Sequence, residues 1–271
     1  MNKKKLLSTP YLFWSVMFII IPLCMIFYYG FTDKTGAFTL ENIMAIGSAE
    51  HFKALWLSIL LSLISTVICL LLAYPLAMIL ANMNVNQNSF IVVIFILPMW
   101  MNFLLRTLAW QTLLEKTGVI NNILTFLHLP TLNIINTPLA IVLGMVYNFL
   151  PFMVLPLYNA LVKIDKNIIN AAKDLGANPV QTFTKITFPL SIPGVISGIT
   201  MVFVPALTTF VISTILGGSK ILLIGNVIEQ EFTQAGNWYL GSGLSIVLMI
   251  FIIISMVLSA IFDKDGEGAL L

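Results

Sequence analysis

The chain has 271 residues, of which 59% are hydrophobic and 9% are charged, and its formal net charge is +2. Soluble domains carry roughly 25% charged residues, so this composition excludes a soluble globular domain, a disordered chain and a nucleic-acid-binding protein. It is typical of a helical membrane protein, and a chain of this length can hold six spans of about 20 residues.

Six long apolar runs follow one another along the chain. Each can cross a bilayer core of about 30 Å as a helix, and none alternates as the strands of a membrane barrel do. The sequence therefore predicts an all-α polytopic membrane protein with a single transmembrane domain over residues 1–271. The predicted spans cover about residues 11–30, 55–81, 89–110, 138–158, 191–216 and 241–262.

The lysines set the expected orientation, because cytoplasmic segments of membrane proteins carry an excess of Lys and Arg. With the N-terminus inside, eight basic residues fall on cytoplasmic segments and five on outer segments. Three of the eight, Lys3, Lys4 and Lys5, precede the first span, which we expect to be retained rather than cleaved as a signal peptide. Six spans then place both termini in the cytoplasm.

The segment between the third and fourth spans, on the predicted outer side, is long for a simple loop. Ile120, Ile123, Leu124 and Leu127 follow the i, i+3, i+4, i+7 spacing of one apolar helix face. This spacing predicts a short helix that lies at the membrane interface.

The most informative segment is the predicted cytoplasmic loop between the fourth and fifth spans, residues 159–190. Asp165 can cap a first helix there. Gly176 suits the left-handed residue that ends such a helix. The sequence therefore predicts a first helix between these two residues.

A second helix is predicted directly after the glycine turn. Asn178 can cap it, Pro179 suits its first position, and Gln181 stands three residues after the cap. We expect this helix to end near Pro189, before the fifth span. The small residues beside the turn permit close approach of a partner protein, although an ordinary surface hairpin that merely connects two spans would look the same.

The same segment resembles the cytoplasmic signature of binding-protein-dependent ABC importer permeases. That signature is Glu-Ala-Ala, three residues, Gly, nine residues, Ile, one residue, Leu, Pro, and the spacing here agrees throughout. Asn170 replaces the Glu and Phe188 replaces the Leu, which removes any ionic contact of the Glu but keeps the helix–turn–helix. The matching residues are Ala171, Ala172, Gly176, Ile186 and Pro189.

The resemblance extends over most of the chain. The second span region, residues 58–77, is similar to that of the same permeases. Shorter pieces are similar to the spermidine/putrescine subgroup, and within it to the first of the two permeases of that system. These pieces are residues 97–110, 118–121, 225–228, 237–238 and 241–242.

The resemblance implies a type I ABC importer permease bundle in the bacterial inner membrane. Its implied partners are a second homologous permease, two copies of a cytoplasmic ATPase that bind ATP and Mg, and an external substrate-binding protein. The chain has no Gly-x-x-x-x-Gly-Lys-Ser/Thr loop, so we expect no enzyme activity, catalytic residue, cofactor or metal in it. The implied ATPase-coupling residues are Asn170, Ala171, Ala172, Asp174, Gly176 and Pro189.

Polyamines are flexible polycations, so their pathway should offer carboxylates, carbonyls and aromatic faces. The tryptophans suit interface anchors equally well, and the acids suit solvated loops. No acidic residue lies centrally in a span, so we expect the second permease to supply charge. The candidates in the predicted outer half are Trp100, Asn102, Trp110, Glu115, Tyr147, Asn148, Glu229, Glu231 and Trp238.

Arg106 is the only arginine of the chain, and it would repel a polycation if it faced the pathway. We expect it to pair with a carboxylate or to bind a lipid phosphate at the outer boundary of the membrane. A second interpretation makes it a gate latch with Glu115 or with an acid of the binding protein.

Three other functions stay open from the sequence. An ion-coupled secondary carrier would need its own ion or proton relay in the membrane, and the spans hold no central carboxylate. A membrane-embedded enzyme would need clustered catalytic groups, and the sequence shows no such cluster. An ABC permease for another small solute agrees with every pattern above.

Overall fold

The computed structural model describes residues 10–83, 100–218 and 220–268, with side chains described to residue 261. Within these ranges nearly all regular structure is helical, and the only strand-like pairing is an isolated bridge between Thr32 and Phe38. Five of the described helices are long and apolar enough to cross a membrane. The protein is therefore an all-α polytopic membrane protein, as its composition predicts.

The described helices follow one another in this order along the chain. They are α1 (Pro10–Gly30), α2 (Glu41–Met44), α3 (Ala49–Asn82), α4 (Phe103–Leu114), α5 (Val119–Phe126), α6 (Pro138–Val162), α7 (Lys166–Asp174), α8 (Pro179–Thr208), α9 (Val211–Leu216), α10 (Ile224–Thr233) and α11 (Trp238–Gly268).

Four predicted spans correspond to single long helices, namely α1, α3, α6 and α11. The predicted short helix is present as α5, and its place at the membrane interface stays a prediction. The third predicted span, residues 89–110, lies mostly outside the described residues; its described end belongs to α4, which begins at Phe103 and continues to Leu114. The six-span count and the side on which the termini lie therefore stay predictions.

The fifth predicted span, residues 191–216, does not coincide with one helix. The helix that was predicted to end near Pro189 continues past it, because α8 runs without a break from the predicted cytoplasmic loop into the span. A wide π-helical turn, Phe183–Thr187, lies directly before this proline, where the missing proline N–H removes a regular helical hydrogen bond. Near the other end the helix is interrupted within the predicted span, because Thr209 and Phe210 are not helical.

The core of the bundle is formed by α3, α6 and α8, and α11 packs against α1 and α8. Gly194 and Gly198 of α8 stand where this helix approaches α6 closely. A Cβ atom at Gly194 would lie 2.5 Å from the Cβ atom of Ala160, and one at Gly198 would lie 2.5 Å from the Sδ atom of Met153. The two glycines therefore let α8 lie directly on α6.

Hydroxyl groups form hydrogen bonds between the long helices. The Tyr74 hydroxyl of α3 lies 2.6 Å from the Ser191 hydroxyl of α8. The Thr200 hydroxyl of α8 donates to the Ser259 hydroxyl of α11 at 3.0 Å. Inside a bilayer the hydrophobic effect does not drive helices together. Such interhelical hydrogen bonds therefore add to van der Waals packing in holding the helices together.

Candidate functional site

The segment that we call the elbow, residues 163–187, begins with a capped helix. The Asp165 side chain accepts a hydrogen bond from the Asn167 N–H at 2.9 Å, and α7 follows it. Gly176 ends the turn with φ at 83°, a conformation that residues with a Cβ atom rarely adopt. The predicted first helix and glycine turn are confirmed.

The second part of the elbow is the start of α8, which carries a complete capping box. The Asn178 side chain accepts from the Gln181 N–H at 2.8 Å. The Gln181 side chain accepts from the Asn178 N–H at 3.0 Å, and Pro179 occupies the first turn. Both ends of the glycine turn are therefore fixed by local hydrogen bonds.

The two alanines beside the turn have different surroundings. Ala172 is buried within the chain, with 8% of its surface exposed, so it packs the elbow rather than presenting a bare surface. Ala171 is exposed and shares one face of α7 with Ile168 and Leu175, because residues three and four apart are neighbours on a helix. We call these three residues the elbow patch.

The elbow patch is unusually apolar for a charged surface segment. Leu175 is 89% exposed, and Val180 in the first turn of α8 is 69% exposed. The remaining predicted coupling residues, Asn170, Asp174 and Pro189, are also exposed. Exposed apolar side chains grouped in this way are typical of a surface that another protein covers.

An aromatic cluster connects the elbow to the bundle. The Phe183 ring of the elbow packs edge-on against the Tyr74 ring of α3, with 5.5 Å between centroids. Phe188 lies 5.9 Å from the same tyrosine, and that tyrosine also contacts Ser191 through its hydroxyl. These contacts join the elbow to α3 and to the continuation of α8.

At the opposite end of the bundle, two aromatic pairs hold α4 against α6. Trp110 packs edge-on against Tyr147 with 5.2 Å between centroids. About two turns earlier on α4, Phe103 lies 6.4 Å from Phe149. These pairs bring two of the predicted pathway residues into contact and leave the Tyr147 ring 39% exposed.

Two buried polar residues, Asn148 and Arg106, lie on the same two helices as these aromatic pairs. Asn148 is 1% exposed, and its amide donates to the Gly144 carbonyl at 2.9 Å. Its Oδ1 atom has no partner, and neither has the Nε atom of Arg106, which is 7% exposed. Glu115, the partner in the second interpretation of Arg106 as a gate latch, lies nine residues further on, about 13 Å along α4, so this geometry does not favour a direct pair.

The other residues predicted on α4 lie at its two ends. Asn102 caps the helix, since its side chain accepts from the Leu104 N–H at 2.8 Å. Trp100, which precedes the cap, is 82% exposed. Glu115 follows the last turn and is exposed. The predicted pathway residues of α4 thus reach from one end of the helix to the other.

The remaining three predicted residues form a separate group on α10 and α11. The Glu229 carboxylate accepts from the Thr233 hydroxyl at 2.9 Å, and Glu231 is half-buried on the same helix. Trp238 lies 5.4 Å from the Phe232 ring and packs against α1 as well. This tryptophan therefore connects α1, α10 and α11.

One buried residue, Asn226, was not predicted as a site residue. Its amide donates to the Phe210 carbonyl at 3.1 Å and to the Thr214 hydroxyl at 2.7 Å. Its Oδ1 atom accepts from the Leu223 N–H at 3.1 Å and from the Ser213 hydroxyl. A buried asparagine inside an apolar stretch is the sequence signal for such a centre, but its partners are visible only in the fold.

The described part of the chain holds no group of three or more His, Cys, Asp or Glu side chains that could bind a metal ion. Long apolar helices and a capped, exposed elbow instead define a multi-pass membrane transport protein. Residues 73–265 match the family of binding-protein-dependent transport system inner membrane components, and the chain belongs to this family.

Curated relatives resemble the chain over most of its length. The spermidine/putrescine transport system permease protein PotB of Haemophilus influenzae is 35% identical over 258 residues, which cover 92% of this chain and 90% of that protein. PotB of Escherichia coli is 38% identical over 245 residues, which cover 88% and 89%. A more distant relative, the inner membrane ABC transporter permease protein YdcU of Escherichia coli, is 29% identical and covers 91% of this chain and 85% of its own length.

Solved structures share the fold at low sequence identity. A bacterial ABC transporter involved in the import of the acidic polysaccharide alginate has a chain that matches with a TM-score of 0.78 at 17% identity, covering 97% of this chain and 94% of that one. The bacterial alginate ABC transporter in complex with a periplasmic protein bound to alginate pentasaccharide matches with the same TM-score at 15% identity, covering 94% and 91%.

Proposed function

We propose that the chain is a permease subunit of an ATP-driven importer for polyamines such as spermidine and putrescine. The identity of 35% and 38% to spermidine/putrescine permeases over about nine-tenths of the chain supports this cargo. The solved alginate importers support the same bundle for a different cargo, so the fold alone does not select the substrate.

The observation that carries the proposal is the elbow. It is held rigid by caps on both sides of Gly176, it exposes an apolar patch, and it contacts the bundle through Phe183. The sequence has no phosphate-binding loop, so the energy source is a separate ATPase that docks on this elbow. ATP-driven closure of the ATPase pair then moves α3 and α8 and shifts the bundle between inward-open and outward-open states.

The partners follow from this mechanism. They are two copies of a cytoplasmic ATPase, which bind ATP and Mg, a second homologous permease and an external binding protein. The alginate importer bound to a periplasmic protein supports the last of these. The elbow and both termini are then on the cytoplasmic side of the bacterial inner membrane, and α5 is on the outer side.

The cargo pathway proposed here runs along α4 and α6. Exposed Trp100 and the Trp110–Tyr147 pair offer aromatic faces to ammonium groups. Glu229 and Glu231 on α10 add negative charge near the outer opening. A polycation would be attracted there without a carboxylate in the interior of the described spans.

Uptake into right-side-out membrane vesicles tests the function. The vesicles contain the chain with its partner subunits, and radiolabelled spermidine or putrescine is added with the binding protein. We expect uptake that needs internal ATP and the binding protein and that continues after ionophores collapse the ion gradients. Uptake that stops with ionophores while ATP is present indicates a secondary carrier, and uptake of only another solute indicates a different ABC permease.

A further inference from the structure

The hydrogen bonds within α8 are interrupted repeatedly where this helix leaves the elbow. The π-helical turn Phe183–Thr187 is followed by Pro189 and Pro193. A π-helical turn and a proline each interrupt the regular i to i−4 hydrogen bonds, and helices bend at both. We call residues 183–193 the hinge segment, because all of these interruptions lie within it.

The helix α3 is interrupted at the same level. Pro75 lies inside α3 directly after Tyr74, and its missing N–H removes one helical hydrogen bond there. The ring contacts of Tyr74 with Phe183 and Phe188 place this interruption beside the hinge segment. Both helices can therefore change their bend at the level where they contact each other.

Tyr74 is held against the hinge segment by two consecutive hydrogen bonds. Its side chain is 8% exposed, and its hydroxyl lies 2.6 Å from the Ser191 hydroxyl. The Ser191 hydroxyl donates to the Phe188 carbonyl at 2.9 Å, so its oxygen is the acceptor for the Tyr74 O–H. The Tyr74 ring is thereby fixed against Phe183, on the elbow side, and against Phe188, further along α8.

Beside the hinge segment, a crevice of about 460 Å³ lies between the elbow and the ends of α3 and α6. Its lining includes Met78 of α3, Leu161 of α6 and, on the elbow, Lys173 and Phe183. This space leaves room for the elbow to turn toward the two helices. Because the Phe183 ring lines the crevice and also contacts Tyr74, such a turn would alter the contact between these two rings.

We propose that Tyr74 is the positioning residue that couples movement of the elbow to the bundle. When the elbow turns at the hinge segment, the Phe183 ring presses on the Tyr74 ring, and the hydrogen bond to Ser191 keeps that ring in place. The movement then reaches α3 and the membrane part of α8. Without the hydroxyl the ring shifts instead, and ATP is hydrolysed without transport. The inference rests on the proposed function, because it needs an ATPase that moves the elbow.

The ratio of cargo taken up to ATP hydrolysed tests this role. It is measured in proteoliposomes that contain the complete transporter, with the binding protein and radiolabelled spermidine. Tyr74→Phe keeps the ring and removes only the hydroxyl. One such hydrogen bond changes an equilibrium about fivefold, so we expect the ratio to fall about fivefold while ATP hydrolysis continues. Ser191→Ala breaks the same bond from the other helix, so we expect an equal fall and no further fall in the double variant.

Ser259→Ala is the matched control. It removes the hydrogen bond between the Thr200 and Ser259 hydroxyls, which joins α8 to α11 outside the hinge segment. Tyr158→Phe, at a half-buried tyrosine of α6, controls for the exchange of tyrosine for phenylalanine itself. We expect the wild-type ratio in both control variants.

A wild-type ratio in either Tyr74→Phe or Ser191→Ala overturns the role of Tyr74. A proportional fall of uptake and ATP hydrolysis, or an equal fall of the ratio in Ser259→Ala, overturns it as well. If Tyr74→Phe does not assemble, Ser191→Ala alone decides between these outcomes. Wild-type transporter that takes up only another solute with ATP overturns the proposed cargo alone, and the ratio is then measured with that solute. Wild-type uptake that needs no ATP overturns the proposed function and this inference with it.

Discussion

Asn226 shows how a single buried side chain can hold three short segments together. Its amide group forms hydrogen bonds with Phe210, which lies between α8 and α9, with the first turns of α9 and with the start of α10. Nearby, the Ser58 hydroxyl of α3 accepts from the Ile224 N–H at 2.8 Å. All of these groups are away from water, so each would be costly if its partner were removed.

Replacing Asn226 by Leu is therefore expected to destabilise the transporter. The variant leaves backbone and hydroxyl groups unsatisfied, at about 1–3 kcal/mol for each group. The measurement is the thermal unfolding midpoint of the purified protein in detergent. The matched control is Asn82→Leu, because Asn82 is exposed and bonds only within its own helix; equal midpoints for the two variants would contradict the role of Asn226.

Among the structural elements, the elbow combines a rigid hairpin with an exposed apolar face. Its caps depend on residues within four positions of each other, so its shape is set locally. Its contact with the bundle depends on Tyr74, about a hundred residues away in the sequence. The burial of Ala172 means that a charged residue there would disturb the elbow itself and would not report on docking.

Leu175→Asp is the sharper test of docking, because this side chain is 89% exposed. We expect the variant to insert normally and to lose most of the co-purifying ATPase, since a charge in an apolar interface is costly. Uptake should fall at least tenfold. The control is Val119→Asp, an exposed apolar residue of α5 at the opposite end; normal recovery of the ATPase with Leu175→Asp would count against docking at the elbow.

The whole molecule has one elbow end and one end that carries α5. Eight basic residues fall on the predicted cytoplasmic segments and five on the outer ones, which favours the elbow end as cytoplasmic. Exposed Lys173 at the elbow and exposed Lys34 and Lys116 in loops at the opposite end offer positions to test this. Cytoplasmic segments of membrane proteins are enriched in basic residues. The two ends should therefore be reachable from different sides of the membrane.

Single cysteines at these positions, introduced after Cys24 and Cys69 are replaced by Ser, test this orientation. In intact spheroplasts a membrane-impermeant maleimide is expected to label Lys34→Cys and Lys116→Cys. Lys173→Cys should react only after the membrane is permeabilised. Labelling of Lys173→Cys in intact spheroplasts would reverse the orientation and remove the elbow from the ATP side.

The sequence by itself determined the features that depend on neighbouring residues. Apolar runs marked α1, α3, α6 and α11, and the spacing of four apolar residues marked α5. Asp165, Gly176 and Asn178 marked the elbow, because caps and a left-handed glycine act within a few positions. The resemblance to the permease family rested on the same local signature.

Only the tertiary structure decided where the long-range contacts lie. Hydropathy is averaged over many residues, so the predicted fifth span continued through Thr209 and Phe210, which are not helical. Because proline often ends a helix, the sequence predicted an end near Pro189, yet a π-helical turn lets α8 continue past it. Burial of Ala172 and the aromatic contacts between α4 and α6 depend on packing between helices that are distant in sequence, which local sequence patterns do not specify.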